Sequence, residues 1–401
     1  MENMNLSKVV NRYLDHLLQM AALGLNLMFI MLAAYFHTIE DFGEFTYKYA
    51  LASILAVLAR FGLDSYYIYL IPRVGFSNAN KKLITYSLIT IPSSILLLLL
   101  YDIESVLIFI VALVAIDEIY YAVFRALNKA RLFLTFRCLI YISRIAVLFL
   151  YQSSELLILV AISLSVTILI SIWYFVKNYS LFDKKLSNYK NINSKSDLRF
   201  TTKTTVSNLL GVLTLKIDIL MLTTMVGYAQ VAVYEVASRW GFLALIPLTI
   251  LSTINLKSMA KLGQRSSYKF FTIYFNDSRF KSFLITSLYF LVLLIIYSIN
   301  EYYSLLPETI DLTIAVILAF GYTVNSYFGP TGTALVMMGY PGTHLFRVLL
   351  ALVINFLVNL AIIPSLGALG AAISTSLVVM LSAFASYCVF KKITTKSECQ
   401  N

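Results

Sequence analysis

One pattern repeats along the 401 residues: a long run of predominantly apolar residues, then a short polar connection. A helix needs about 17 to 25 such residues to cross a hydrocarbon core of roughly 30 Å. Twelve windows of this kind occur, over residues 13–36, 44–71, 83–100, 105–124, 132–151, 155–176, 204–226, 231–254, 282–299, 312–338, 343–364 and 368–390. The predicted fold class is therefore all-α, a polytopic membrane protein with twelve transmembrane helices. Composition agrees: 60% of residues are hydrophobic and 13% charged, where a soluble domain carries about 25% charged residues.

Lys and Arg in short loops mark the cytoplasmic side. Lys8 and Arg12 precede the first window, and every even-numbered connection is basic, with Arg73, Lys81 and Lys82, then Arg125, Lys129 and Arg131, later Arg347 and the tail Lys391, Lys392 and Lys396. The odd-numbered connections are acidic, with Glu40, Asp41 and Glu44, Asp102 and Glu104, Glu155, and Glu301, Glu308 and Asp311. Both termini are expected in the cytoplasm of a cell whose inner membrane the chain spans. The formal net charge of +11 is thus a topology signal with some attraction to anionic headgroups, and no nucleic-acid partner is expected. The first window is too long for a signal-peptide core and lacks a small-residue cleavage site. Cys138, Cys388 and Cys399 have no C-x-x-C spacing and His16, His37 and His344 are dispersed, so neither a disulfide framework, a metal site nor a cofactor is expected.

The connection from Lys177 to Lys203, rich in Lys, Asn and Ser, divides the windows six and six. The expected organisation is an N-terminal six-helix lobe over 1–180, a cytoplasmic linker over 181–203, and a C-terminal six-helix lobe with a short tail over 204–401. A faint internal repeat accompanies the division: Phe42-Gly43-Glu44-Phe45 entering the second window resembles Val231-Ala232-Val233-Tyr234 entering the eighth. The other long cytoplasmic connection, Asn255 to Lys281, alternates basic and aromatic residues and reads either as a helix on the inner leaflet or as a solvated loop. External connections are short and leave no room for an extracellular catalytic domain, so an enzyme is not expected.

Charges lie inside the apolar windows. Each costs about 2.5 to 3.5 kcal/mol at a bilayer centre on insertion scales, so residues of both signs point to a polar cavity or to buried pairs. Arg60 and Asp64 are four apart and share a face with Ser53 and Tyr67; Glu235 and Arg239 repeat the spacing in the eighth window. Either pair can neutralise itself. Lys216 and Asp218, two apart, point to nearly opposite sides. Arg137 and Arg144, with Tyr141 and Tyr151, form a stripe with no acid on its own face, so each needs an acid on another helix or an anionic ligand. Asp117 and Glu118 are the candidate partners for Arg137, and they are also candidates for a proton-coupled step. Gly329-Pro330 breaks the tenth window and is expected to kink it or open a cavity. Asn355 and Asn359 share a face, and Gly367, Gly370, Ala371 and Ser374 suit close helix packing.

These residues also carry a resemblance. Leu58-Ala59-Arg60-Phe61-Gly62-Leu63-Asp64 is similar to the second span of Wzx-type polysaccharide flippases, and Lys216-Ile217-Asp218-Ile219-Leu220-Met221-Leu222 to the Asp-x-x-Met-Leu signature of their seventh. Gly329-Pro330-Thr331-Gly332 with Met337-Met338-Gly339 resembles their tenth, and the likeness continues through Asn355, Asn359, Ile363-Pro364 and Gly367 to Ala372. That family belongs to the multidrug, oligosaccharidyl-lipid and polysaccharide exporter superfamily. The resemblance implies two six-helix lobes in a MATE-like V that alternate between inward and outward openings. The implied cargo is an undecaprenyl-diphosphate-linked oligosaccharide, flipped to the outer leaflet for O-antigen, capsule or related polysaccharide, with H+ or Na+ and other polysaccharide-assembly membrane proteins as further partners. On this reading Arg60, Arg137, Arg144, Lys216 and Arg239 form the cationic substrate site. Asp64, Asp117, Glu118, Asp218 and Glu235 serve ion coupling or charge pairing. With no spans beyond twelve, the chain departs from the lipid II flippases of the superfamily, which add two. Two rivals remain: a cation-coupled multidrug exporter of the same superfamily, which needs a cavity dominated by acids and aromatics, and an integral-membrane glycan polymerase or acyltransferase, which needs external catalytic residues.

Overall fold

The computed structural model describes residues 6–74, 105–127, 129–150, 155–182, 194–252, 268–303, 311–338 and 340–398. Among them are thirteen helices and no strand: α1 (Leu6–Phe36), α2 (Ile39–Arg60), α3 (Leu63–Val74), α4 (Ser105–Ala126), α5 (Ala130–Leu150), α6 (Leu156–Phe182), α7 (Ser194–Met225), α8 (Tyr228–Leu243), α9 (Ile246–Ser252), α10 (Tyr268–Tyr303), α11 (Leu312–Phe328), α12 (Thr331–Met337) and α13 (Pro341–Glu398). The chain forms two compact units, Met1–Val212 and Leu213–Asn401.

Among the described residues eight helices are long and apolar enough to cross a membrane, and two bent pairs bring the number to ten. α13 has 58 residues and would extend about 87 Å if straight at 1.5 Å per residue. It is broken at Gly367 (φ 54°, ψ −132°), between the expected eleventh and twelfth windows. The expected third window, 83–100, lies outside the described residues. So do residues 255–267 of the basic and aromatic connection; from Tyr268 onward that stretch is the start of α10. Residues 194–203, expected within the linker, instead form the first turns of α7.

The bent pairs correct the apolar pattern, which reads 44–71 and 231–254 as continuous spans. α2 and α3 meet at 49°, α8 and α9 at 48°. At the first bend Phe61 (φ 43°) and Gly62 (φ 67°) are both left-handed. Glycine at 62 serves a second purpose, since a Cβ there would lie 2.5 Å from the carbonyl oxygen of Thr201 on α7. The second bend has no left-handed residue. Its backbone tightens instead, Ala244 and Leu245 donating three residues back to Gly241 and Phe242, and Pro247 has no N–H to return to the Leu243 carbonyl.

Helix ends are set locally. Thr38 caps α2 by accepting from the Asp41 amide at 3.2 Å, with Glu40 and Asp41 placed where the helix dipole favours anions. Asp311 caps α11 in the same way, accepting from the Thr313 amide at 2.9 Å.

In the first unit α4 packs against α2, α3 and α6, and α1 lies along α5. Tyr66, Leu70, Phe124 and Phe133 are fully buried where α3, α4 and α5 meet. In the second unit α11 is surrounded by α8, α10 and α13. Small residues permit this: a Cβ on Gly321 would lie 2.9 Å from the Ser376 Cα. α10 turns Phe280, Leu284, Leu288, Leu291 and Ile295 outward at helical spacing, a face that lipid tails cover.

Candidate functional site

Polar groups gather in each unit separately, and they are organised differently. In the first unit the bend between α2 and α3 brings Arg60, the last residue of α2, beside Asp64 in the first turn of α3. Arg60 Nε lies 3.6 Å from Asp64 and its Nη1 lies 3.7 Å from Glu118 on α4. Both separations are ion pairs too long to be hydrogen bonds, and the buried Nε has no hydrogen-bond acceptor. Asn208 of α7 donates to the Asp64 carboxylate at 3.2 Å.

Arg137 of α5 completes the chain of charges. Its Nη2 donates to Asp117 at 2.7 Å and to Glu118 at 3.1 Å, and its guanidinium lies over the rings of Tyr121 and Phe133. Two cations and three carboxylates thus alternate from Asp64 to Asp117. Arg144 stands apart, two helical turns further along α5. It is buried, donates from Nε to Ser163 at 2.5 Å, and packs over Phe29 and Tyr141. Among the described residues it has no carboxylate within 4.0 Å.

In the second unit Glu235 and Arg239, one turn apart on α8, form an ion pair. Lys216 of α7 lies in the field of both and has no carboxylate within 4.0 Å among the described residues, so two cations share one acid. Asp218 faces away from Lys216 and is buried in a cage of neutral donors. Asn355 and Asn359 of α13 donate to its Oδ1 at 3.0 and 2.7 Å, and Tyr234 of α8 and Thr375 of α13 donate to its Oδ2 at 2.8 and 2.6 Å. Ser374 donates in turn to Asn355 Oδ1 at 3.0 Å, while Asn359 Oδ1 is buried with no donor among the described residues.

Of the five cations in the expected substrate site, three are in contact with carboxylates: Arg60, Arg137 and Arg239. The pairing of Arg137 with both Asp117 and Glu118 leaves Arg144 and Lys216 as the cations without a carboxylate in contact. Asp64, Asp117, Glu118 and Glu235 are charge partners, and Asp218 is held by dipoles alone. Gly329 (φ 81°) and Pro330 separate α11 from α12. Sequence reasoning missed Ser163, Asn208, Tyr234 and Thr375 as polar partners. Asn355 and Asn359 carried a usable signal in their shared face, but a single hydroxyl such as Thr375 in an apolar helix carries none.

No protein-family model matches the chain, and no curated protein sequence matches it. Solved structures do. A multidrug resistance MATE transporter of the MOP superfamily, in an outward-facing conformation, superposes with a TM-score of 0.63 at 14% identity, covering 96% of each chain. The lipid II flippase MurJ in an inward closed conformation superposes with a TM-score of 0.71 at 14% identity, covering 96% of this chain and 91% of MurJ. The fold is a MATE and MurJ fold. A further MOP transporter, from Pyrococcus furiosus and described as having a binding pocket of reverse polarity, gives a TM-score of 0.62 at 12% identity over 96% of each chain.

Proposed function

We propose that the chain is a flippase that moves undecaprenyl-diphosphate-linked oligosaccharide from the inner to the outer leaflet of the cytoplasmic membrane by alternating access, for O-antigen, capsule or a related polysaccharide. The observation that carries this reading is Arg144: a buried guanidinium within an apolar span, with no carboxylate in contact among the described residues. Leaving such a charge uncompensated is costly, and a diphosphate is an anion that two donors of one guanidinium can hold at once. Lys216 in the second unit has the same deficit. The resemblance of the Arg60 and Asp218 segments to the Wzx pattern supports the same cargo class, and the MurJ likeness supports a fold able to flip a lipid.

Complementation tests this reading. Arg144→Ala in a flippase-deficient strain is expected to lower surface glycan at least about tenfold, the loss of one charge-assisted contact of about 1.5 kcal/mol or more, with the protein still in the membrane. Full complementation by this variant overturns the assignment.

Coupling to H+ or Na+ is assigned to Asp218. Rotating the amides of Asn355 and Asn359 would turn their oxygens toward the carboxylate, adding to the Thr375 and Tyr234 hydroxyls a set of hard oxygen donors suited to an alkali cation. Asp218→Asn is expected to remove the dependence of transport on the coupling ion, read as glycan export at varied external Na+ and pH. An unaltered ion dependence excludes Asp218.

The MATE likeness favours a second reading, a cation-coupled multidrug exporter. It calls for a drug site dominated by acids and aromatics, whereas Arg144 in the first unit and Lys216 in the second are cations with no carboxylate in contact among the described residues. Drug efflux from a sensitised strain that survives Arg144→Ala, with no effect on glycan, would establish it instead.

A further inference from the structure

The break at Gly329-Pro330 opens a cavity of about 410 Å³ within the second unit, lined by α9, α11, α12 and the start of α13. Two of its lining residues, His344 and Arg347, sit one turn apart on α13. Arg347 Nη1 donates to Ser382 at 2.6 Å, and Nη2 lies 3.2 Å from His344 Nδ1. A guanidinium has only donors, so Nδ1 must be the acceptor, which leaves His344 with Nε2–H to offer. The Nε of Arg347 is buried and has no acceptor among the described residues. No Asp or Glu lines the cavity, and no carboxylate lies within 4.0 Å of Arg347 among the described residues. The rest of the polar lining is neutral: Thr249, Ser252, Asn325, Thr331 and Thr333.

Gly332 makes this arrangement possible. A Cβ there would lie 2.9 Å from His344 Cε1 and 3.0 Å from Arg347 Nη2, so any larger residue pushes the pair away from α12. Gly332 has an ordinary negative φ, unlike Gly329. Its glycine therefore serves close approach, not backbone freedom.

A guanidinium, an imidazole N–H and several hydroxyls, with no acid among the lining residues, are what a phosphoryl group requires. We infer that this cavity, whose lining includes none of Arg144, Lys216 and Arg239, binds a phosphate, either the phosphoryl headgroup of an inner-leaflet lipid or free inorganic phosphate. By the charge of the loops, the start of α13, which carries Arg347, lies toward the cytoplasmic side.

The full-length protein, purified in a phosphate-free nonionic detergent, tests this with two probes. In one arm inorganic phosphate is titrated against equal ionic strength of chloride, with thermal stability as the readout. In the other, native mass spectrometry compares retention of phosphatidic acid with that of phosphatidylcholine. At least one probe is expected to bind, and Arg347→Ala should weaken that binding at least about tenfold, since a charged contact is lost. Arg347→Lys, which keeps the charge but not the fork, should recover part of it.

Preference for phosphatidic acid that millimolar phosphate does not displace identifies the lipid headgroup as the source; stabilisation by phosphate with no lipid preference identifies the free ion. Should Arg347→Ala fail to fold, Gly332→Ala puts one methyl against the same pair and is expected to weaken binding as well. Binding of neither probe above its control overturns the inference. So does binding that is equal in wild type, Arg347→Ala and Gly332→Ala, because Arg347 then only ties His344 to Ser382.

Discussion

Two carboxylate arrangements, one in each unit, handle buried charge in opposite ways. In the first, Asp64, Arg60, Glu118, Arg137 and Asp117 form a row in which each charge faces one of opposite sign. In the second, Asp218 has no cation in contact among the described residues and is held by two amides and two hydroxyls. A row of ion pairs is hard to alter, because removing any member leaves its neighbour charged and buried. A carboxylate held by neutral dipoles is different: its charge is satisfied locally yet still available to a cation. The first arrangement suits a fixed strut, the second a site whose charge state changes during a cycle.

The largest expected effect breaks the row. Arg137→Met should destabilise the protein by about 3 to 5 kcal/mol, because Asp117 is left buried without a partner. Arg137→Met combined with Asp117→Leu should recover most of that loss, since a buried pair replaced by apolar groups is often neutral. Unfolding in detergent measures both. If the single variant is as stable as wild type, the row is not a strut.

A smaller effect is expected at the bends. Gly62→Ala should cost about 2 to 3 kcal/mol, from an alanine forced to positive φ and from a Cβ driven against the Thr201 carbonyl. The corresponding bend at Ala244 has no left-handed residue, so Ala244→Gly should cost under about 1 kcal/mol. Comparable losses at the two positions would mean that the bends share one mechanism.

Much of this was legible before any coordinates. Apolar windows locate most of the helices, and Gly329-Pro330 announces its break because proline cannot donate and glycine accepts φ of 81°. The bend at Arg60 was harder. Arg60 and Asp64 at i,i+4 read as one face of a continuous helix, and only Gly62 hinted that the helix ends between them. The partners of Arg137 were nameable because Asp117 and Glu118 are the acids of the preceding span. Asp218 was singled out but its cage was not, because Tyr234 and Thr375 converge on it through tertiary packing that no periodicity encodes. The sequence offered acids to Arg137 and none to Arg144, and among the described residues the first is paired while the second has no carboxylate beside it.

The smallest effect tests whether the cage is as soft as its composition implies. Thr375→Val removes one hydroxyl from Asp218 Oδ2, which keeps Tyr234, while Asn355 and Asn359 still hold Oδ1. A hydrogen bond to a charged group contributes about 1.5 to 3 kcal/mol, and with three donors left the loss should fall at the lower end, about 1.5 kcal/mol. Thr375→Ser should be close to wild type, since the hydroxyl is retained. If Thr375→Val instead costs as much as Arg137→Met, then Asp218 depends on every donor as strictly as the row depends on every charge. The two units would then differ in composition but not in kind, and Asp218 would be a packing residue with no freedom to exchange its partners for a cation.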